Sequence, residues 1–141
     1  MAEHEATARA LEVIEAFNVA DWPRLRGALS PDVVYEETGT GRRVEGADAY
    51  VALCKGWKEA FPDARGTVRR ALADGDTGVL ELTWEATQTG PLATPAGTIP
   101  PSGKHATVAA SFWATGAGER CREIHHHLDV LALLQQIGAM P

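Results

Sequence analysis

The sequence predicts an α+β fold, in which helices pack on the concave face of a cone-shaped, curved antiparallel sheet (an α+β barrel). Apolar residues recur at helical spacing through the first half of the chain, whereas from Ala64 onward they alternate with a period of two. Helices and strands segregated in this way favour α+β over an alternating parallel sheet. A curved sheet capped by helices leaves a one-ended pocket unless side chains fill it, so this fold class also predicts a binding cavity.

Length and charge narrow the classes of protein. The 141 residues suit one domain spanning 1–141. Nineteen acidic and 13 basic residues give a net charge of -6, which argues against a nucleic-acid partner. No apolar run reaches the roughly 20 residues of a membrane-spanning helix. The acidic start is unlike a secretory signal, and Cys54 and Cys121 form no CxxC motif. We therefore expect a cytoplasmic protein without a membrane partner.

Two helices and a strand pair are predicted first. The opening helix has an apolar stripe formed by Ala10, Val13, Ile14 and Phe17. Asp21 can cap a second, short helix that has Pro23 in its first turn and ends at Ser30-Pro31-Asp32. The run VVYEE then predicts a strand, followed by the turn TGTG and a short strand around Arg43-Val44.

A third helix and a closing helix are also predicted. The third begins at about Ala47 and stops at Pro62. Its apolar stripe comprises Tyr50, Leu53, Cys54, Trp57 and Phe61. The closing segment DVLALLQQIG has a stripe of Leu131, Leu134 and Ile137, and Gly138 suits its C-terminal cap.

Four long strands fill most of the second half, at residues 64–73, 78–89, 104–115 and 120–129. Asp74-Gly75-Asp76 and Gly116-Ala117-Gly118 have the composition of hairpin turns. The segment GPLATPAGTIPPSGK, residues 90–104, carries four prolines, so we expect no regular strand there. A long loop at a sheet rim is typical of a lid that shields a binding site.

Strand alternation nominates an acid. In VVYEET, Val33, Tyr35 and Glu37 share one face, and Glu36 lies on the other. Because Glu37 follows the aromatic Tyr35, we predict that Glu37 is the inward acid. The alternative is that both glutamates lie in water at a fraying strand end.

The run REIHHHLD nominates a base. Ile124, His126 and Leu128 share a face, so apolar neighbours place His126 against the core or pocket. A neutral imidazole there suits acid/base chemistry, since its ordinary pKa is about 6.5. The alternative is a structural histidine satisfied by one hydrogen bond. His125 and His127 could ligate a metal only with a third ligand, and we predict no metal site.

Aromatic residues predict the substrate-binding wall. Leu80, Leu82 and Trp84 share one strand face, and Ser111 and Trp113 share another with Thr107 and Ala109. The predicted substrate-binding residues are Phe17, Tyr50, Trp57, Trp84, Ser111 and Trp113. The alternative is that these aromatics are plain core. The chain has no G-x-S-x-G motif, no phosphate-binding glycine loop and no dinucleotide fingerprint.

Four stretches together resemble a known family. They are LSPDVVYEE, GWKEAFPDARGTV, GTIPPSGK and HHHLDVLALLQQIGAMP. In this order they resemble the SnoaL-like polyketide (ester) cyclases, within the nuclear-transport-factor-two-like superfamily of cone-shaped α+β folds. The resemblance implies a cofactor-free enzyme that closes a ring by intramolecular aldol condensation, and a homodimer or higher homo-oligomer.

The resemblance also implies roles for individual residues. The family's acid/base aspartate stands three residues before a second aspartate. Matching that second aspartate to Asp129 puts His126 at the acid/base position, so histidine replaces aspartate here. The related ketosteroid isomerases keep a base at the end of their first strand, where this chain has Glu37.

Three functions follow as hypotheses. The first is a cofactor-independent cyclase or isomerase acting on a small, apolar, polyketide-derived substrate. In this hypothesis His126 moves the proton, Glu37 is its partner, and Tyr35 donates a hydrogen bond to a developing enolate oxygen. The second is an epoxide hydrolase or polyether-type cyclase, which needs two acids facing one pocket. The third is a non-catalytic small-molecule-binding protein.

Overall fold

A computed structural model describes residues 2–140 of the chain. Helices and strands follow one another in an order close to the predicted one. The elements are α1 (Ala2–Asn18), α2 (Trp22–Gly27), β1 (Leu29–Thr38), β2 (Arg42–Glu45), α3 (Ala47–Ala60), β3 (Arg65–Asp74), β4 (Thr77–Thr87), β5 (Leu92–Thr94), β6 (Gly97–Ile99), β7 (His105–Ala117), β8 (Arg120–Leu128) and α4 (Val130–Gln136).

One mixed sheet organises the domain. Its six strands lie in the order β2-β1-β8-β7-β4-β3. Neighbouring strands are antiparallel except β1 and β8, which run parallel. The predicted α+β class is therefore confirmed, and the sheet contains a parallel pair that the sequence did not indicate. This pair joins the first strand of the chain to the last.

Two helices cover one face of this sheet. α1 packs on β3, β4 and β7, and α3 packs on β1. The predicted stripe of α1 is buried, with Val13 and Phe17 each less than a tenth exposed. On α3, Tyr50 and Cys54 are buried in the same way. Among the helices that the structure describes, none is both long and apolar enough to cross a membrane.

Arg9 fastens α1 to two hairpin turns. Its guanidinium is buried, and its Nη1 and Nη2 donate hydrogen bonds of 2.9 Å to the carbonyl oxygens of Gly118 and Asp76, respectively. These residues belong to the β7–β8 and β3–β4 turns, where the sequence predicts hairpins. Because a buried charge is costly unless hydrogen-bonded, the two carbonyls explain how Arg9 is accommodated.

The observed boundaries differ from the predicted ones in two places. The four long strands agree within about two residues, the usual uncertainty of element ends. β1, however, starts at Leu29, and α2 already ends at Gly27. Pro31 lies inside β1, where the pairing with β8 shifts between Leu29 and Val34. A proline fits at such an irregularity because no regular ladder hydrogen bond is lost.

The loop and the last helix also correct the sequence interpretation. Residues 90–104 contain the short antiparallel hairpin of β5 and β6, although we expected no strand there. In α4, Leu133 and Ile137 are buried whereas Leu131 is 54% exposed. The segment VLALLQQI carries apolar residues at two helical phases, so its sequence alone did not decide which face packs on the core.

The approach of α1 to β4 predicts a sharp contrast between two glycines. A Cβ at Gly78 would lie 2.3 Å from the carbonyl oxygen of Ala6, whereas a Cβ at Gly56 of α3 would meet nothing within 4 Å. We expect Gly78→Ala to destabilise the protein by about 1–3 kcal/mol or more, because backbone must move. Gly56→Ala should stabilise it by about 0.5–1 kcal/mol through helix propensity. Urea unfolding measures both, and equal effects would contradict this packing.

Candidate active site

A cavity of about 80 Å³ lies between the concave face of the sheet and helices α1 and α3. Its wall is almost entirely apolar. Lining residues include Val13, Ile14, Phe17, Leu53, Trp57, Phe61, Ala106, Val108, Phe112, Leu128 and Leu133. Four polar side chains complete one region of the wall: Tyr35, Tyr50, Trp84 and His126. An apolar lining with a few convergent polar groups is the usual lining of a ligand site.

The parallel pairing of β1 with β8 brings the two nominated residues together. Glu37 lies directly beside His126 in this register, and Phe112 lies beside His126 from β7. Glu37 is only 2% exposed, and His126 is 7% exposed. Glu36 points the other way, where it pairs with Arg43 at 2.5 Å. The structure thus places Glu37 on the inward face, as the strand alternation predicts.

Tyr35 links His126 to Glu37. Its hydroxyl donates a 2.5 Å hydrogen bond to Oε2 of Glu37, and the same hydroxyl oxygen lies 2.8 Å from Nδ1 of His126. The second carboxylate oxygen, Oε1, accepts a 2.7 Å hydrogen bond from the hydroxyl of Thr40. Both oxygens of the buried carboxylate are therefore hydrogen-bonded, which a buried charge requires. Glu37 itself does not line the cavity and contacts it through Tyr35.

The hydrogen-bond partners assign the tautomer of His126. The indole Nε1 of Trp84 lies 3.1 Å from Nε2 of His126, and an indole N–H can only donate. Nε2 must then be the accepting, unprotonated nitrogen, so the ring proton of a neutral imidazole is on Nδ1. Nδ1–H in turn donates to the oxygen of Tyr35. The three hydrogen bonds that join these four side chains therefore have the same direction: Trp84 donates to His126, His126 donates to Tyr35, and Tyr35 donates to Glu37.

Burial keeps the imidazole of His126 uncharged. It lowers the pKa of His126 to about 4, with a further contribution from the charge of His127. Burial, together with the charge of Glu37, raises the pKa of Tyr35 well above its ordinary value. At neutral pH the imidazole is uncharged and the phenol keeps its proton. The site therefore presents an uncharged imidazole at the wall of an apolar cavity, with an unprotonated Nε2 that accepts the indole N–H of Trp84.

The predicted substrate-binding residues divide into two groups. Phe17, Tyr50, Trp57 and Trp84 line the cavity together with His126. Ser111 and Trp113 do not, because they lie on the opposite face of β7, beside an outer groove, and Trp113 is 43% exposed. The expectation that Ser111 and Trp113 line the same cavity as the other four is wrong. Both the odd-numbered and the even-numbered positions of β7 carry apolar residues. We assigned the odd-numbered positions to the concave side, whereas the even-numbered ones face it.

The sequence interpretation missed Phe112 and the contact between Trp84 and His126. Phe112 is 1% exposed, and its ring centroid lies 5.5 Å from that of His126. A usable signal was present, since Ala106, Val108, Ala110, Phe112 and Ala114 form an alternating set without a polar side chain. The odd-numbered positions of the same strand instead combine threonine and serine with Trp113. No comparable signal exists for Trp84, because its contact depends on the register of three strands.

Three other histidines lie on the surface of the sheet. His125 bonds Glu123 at 2.7 Å, His127 bonds Thr38 at 2.9 Å, and His105 bonds Thr87 at 2.9 Å. Within residues 2–140, no three His, Cys, Asp or Glu side chains are grouped so as to hold a metal ion. Cys54 is buried, and burial raises its pKa to about 12, which makes this thiol a poor nucleophile.

The loop at residues 90–104 supports the cavity from behind. None of its residues lines the cavity, but Leu92 is buried in an apolar cluster with Phe61, Val108 and Leu133, which do. Gln88 anchors the loop, because its Nε2 lies 3.1 Å from the carbonyl oxygen of Pro100 and its backbone N–H donates to Lys104 at 2.9 Å. A shielding role for this loop stays a prediction.

The curved sheet and its helices define a fold class, the nuclear-transport-factor-two-like α+β folds. Within that class, the chain belongs to the SnoaL-like polyketide cyclase family, whose model matches residues 8–137. The family is one of cyclases, and the relationship supports a cyclase or isomerase kind of activity. The resemblance found in the sequence is thereby confirmed.

Solved structures agree with this assignment. A candidate SnoaL-like polyketide cyclase from Jannaschia sp. CCS1 superposes with a TM-score of 0.83 at 23% identity, covering 99% of this chain and 95% of that one. AclR, a candidate hydroxylase from Streptomyces galilaeus, gives 0.81 at 25% identity and 98% of both chains. An LEH-like epoxide hydrolase from M. tuberculosis gives 0.75 at 18% identity, with 97% and 92% covered. No protein with a curated description matches the sequence.

The neutral state of His126 predicts a specific loss of stability in acid. Unfolded His126 has a pKa near 6.5, whereas the folded value is about 4, so the unfolded chain binds more protons between these pH values. Stability is therefore complete above this window and falls as the pH drops through it. Between about pH 7.5 and 5 we expect wild type to lose about 2 kcal/mol more than His126→Gln, measured by urea unfolding.

A surface histidine provides the control for that experiment. His105→Gln makes the same substitution at a half-exposed position of β7 and is the matched control. The same slope for wild type and His126→Gln would contradict a buried, neutral His126.

Proposed function

We propose that the chain is a cofactor-independent cyclase or isomerase that moves protons within a small, apolar, polyketide-derived substrate. One observation carries this proposal: a neutral imidazole faces an apolar cavity and is coupled through Tyr35 to the buried carboxylate of Glu37. Membership of the cyclase family supports the reaction class. Proton transfer by an imidazole requires no cofactor.

The first step would be removal of a proton from carbon next to a carbonyl group. Nε2 of His126 takes the proton, and the electron pair of the C–H bond moves into an enolate. The resulting imidazolium keeps its Nδ1–H bond to Tyr35, whose own hydrogen points to Glu37. The carboxylate thus stabilises the positive charge through one intervening hydroxyl. This arrangement resembles the orienting carboxylate of a catalytic triad, with a tyrosine inserted.

The second step returns the proton. In an isomerisation the enolate takes it at a different carbon. In an aldol cyclisation the enolate carbon bonds to a second carbonyl carbon, and the alkoxide formed takes the proton from Nε2. Either way His126 ends neutral, so the cycle balances without any other reactant. In both, Tyr35 is a positioning residue, because its hydrogen is committed to Glu37 rather than free for the enolate.

Epoxide opening is less well supported by the site. That reaction needs a carboxylate that faces the cavity and can activate water, but Glu37 does not line the cavity, and its two oxygens accept hydrogen bonds from Tyr35 and Thr40. The acidic residue that does line the cavity is Glu85, whose side chain is half exposed. The likeness to an epoxide hydrolase at 18% identity concerns the fold. A non-catalytic binding role does not require the hydrogen bond between Tyr35 and the buried carboxylate of Glu37.

Replacing His126 should abolish proton transfer. The probe is a β,γ-unsaturated cyclohexenone, a single-ring ketone whose conversion to the conjugated enone is followed by ultraviolet absorbance. We expect His126→Gln to lower kcat at least about 100-fold, the usual contribution of a general base. Glu37→Gln should lower it less, because the imidazolium loses its compensating charge but the base remains.

The neighbouring histidine, His125, provides the control for His126→Gln. His125→Gln alters the next position of β8, whose side chain points outward to Glu123, and should react like wild type. Full activity in His126→Gln would rule out the proposed base. Binding of the enone without conversion by wild type would favour the binding protein, and hydrolysis of cyclohexene oxide would favour the epoxide hydrolase.

We also propose that the protein acts in the cytoplasm as a homodimer. The free thiols of Cys54 and Cys121 suit a reducing compartment. The outer sheet face exposes Trp113 by 43% and Leu72 by 59% beside one groove, and large exposed apolar side chains favour association.

The homodimer proposal is tested by one substitution on the outer face. Trp113→Glu should give a monomer because it places a charge in the proposed interface, and sedimentation velocity measures the mass. Ala52→Glu adds the same single negative charge at an exposed position of α3 and should stay dimeric. A monomeric wild type would contradict the proposal.

A further inference from the structure

Trp84 supplies a hydrogen-bond donor next to the reactive nitrogen of the cavity. Its Nε1–H points at Nε2 of His126, the nitrogen that would receive the substrate proton. Both side chains line the cavity. The other hydroxyls nearby are already committed, since Tyr35 donates to Glu37 and Tyr50 is hydrogen-bonded to Cys54. A substrate oxygen arriving beside His126 therefore has the Trp84 indole N–H as its closest donor of a hydrogen bond.

The structure holds this indole in place from two sides. The ring of Phe17 meets it edge-on with centroids 5.2 Å apart. Gly66 of β3 lies against its other side, where an added Cβ would be 2.8 Å from a ring carbon. Gly66 is itself fixed, because its N–H donates to Oδ1 of Asn18 at 2.8 Å and its carbonyl accepts from Nδ2 at 2.9 Å. The position of the indole N–H is thus set before any ligand enters.

Building on the proposed function, we propose that the Trp84 indole N–H is a catalytic donor that leaves Nε2 of His126 and binds the substrate oxygen as the enolate forms. Once Nε2 has taken the substrate proton, it has no lone pair left and cannot accept from Trp84. Two N–H groups would then face each other across 3.1 Å, which is unfavourable. The carbonyl oxygen of the substrate lies two bonds from the carbon that lost the proton, within reach of the released donor.

This exchange couples proton removal to charge stabilisation. The C–H bond breaks, the proton bonds to Nε2, and the negative charge moves to the oxygen that accepts from Nε1–H of Trp84. When the proton returns to carbon or to an alkoxide, Nε2 regains its lone pair and recaptures the indole N–H. A donor that binds the oxygen only as charge develops stabilises the transition state more than the bound substrate.

Removing the donor also changes His126 itself. A hydrogen bond to the lone pair of Nε2 favours the neutral ring, so Trp84→Phe should raise the pKa of His126 from about 4. Other titratable or charged groups lie around the site and stay in place in this variant, and among them the charge of His127 lowers the pKa of His126. They are Tyr35 and Glu37 of β1, Arg42 of β2, Tyr50 and Cys54 of α3, Glu85 of β4 and His127 of β8.

The experiment compares three variants. Trp84→Phe keeps an aromatic ring but removes the N–H, and Gly66→Ala keeps the N–H but displaces the ring. Trp22→Phe, whose residue packs on Phe17 outside the cavity wall, is the control. With the cyclohexenone probe, Trp84→Phe and Gly66→Ala should lower kcat about 100-fold, as for loss of one oxyanion donor, and change KM less than about threefold. Trp22→Phe should match wild type.

Two measurements do not depend on turnover. Imidazole nitrogen chemical shifts should show the Nδ1–H tautomer of His126 in wild type and an added Nε2–H population in Trp84→Phe. The dye para-nitrophenol, whose phenolate mimics an enolate oxygen, should bind wild type as the phenolate and shift the indole N–H resonance of Trp84. Its affinity should fall at least about tenfold in Trp84→Phe.

The outcomes separate this proposal from the proposed function. An inactive wild type that still binds the phenolate through Trp84 would refute the cyclase or isomerase while retaining the donor. Equal phenolate affinity in wild type and Trp84→Phe, no phenolate binding, or an Nε2–H tautomer in wild type would each overturn the donor. Loss of kcat with an unchanged pH profile and unchanged phenolate affinity would also overturn it.

Discussion

The hydroxyl of Tyr35 is the interaction on which the candidate site depends. It is the link between a buried carboxylate and an imidazole that faces the cavity. Without it, Glu37 would keep the hydroxyl of Thr40 but leave its other oxygen without this short bond, and His126 would lose the group that fixes Nδ1. A charge at 2% exposure persists only where its oxygens are satisfied. Tyr35 therefore maintains both the charge balance and the orientation of the base.

Much of the fold follows from local patterns. The apolar stripes of α1 and α3 are long and regular, and the structure buries them against the sheet. In β1 and β8 the alternation of apolar and polar residues correctly predicts that Glu37 and His126 face inward. In β7 the same logic selected Trp113 instead of Phe112, because both parities carry apolar groups. In α4 two helical phases competed in the same way. Patterns decide a face only where one side is clearly polar.

The contacts of the site depend on pairing that no local pattern encodes. Glu37 and His126 are 89 positions apart, yet their strands pair in parallel with these residues side by side. Trp84 reaches His126 because β4, β7 and β8 are in fixed register, and because Gly66 leaves space for the indole. Sequence reasoning named all four hydrogen-bonded residues, Tyr35, Glu37, Trp84 and His126, but not the direction of the hydrogen bonds between them. That direction emerges from an indole N–H that can only donate.

The meeting of the first and last strands has a consequence for how the chain is made. In the folded domain β1 pairs with β2 on one edge and with β8 on the other, although the ribosome synthesises β8 more than 80 residues after β1. Until β8 has emerged, this second edge has no native partner and is open to wrong ones. Shortening the chain before β8 would remove His126 and leave the opposite wall of the hollow unsupported. Synthesis through β8 is thus a condition for the proposed proton transfer at His126.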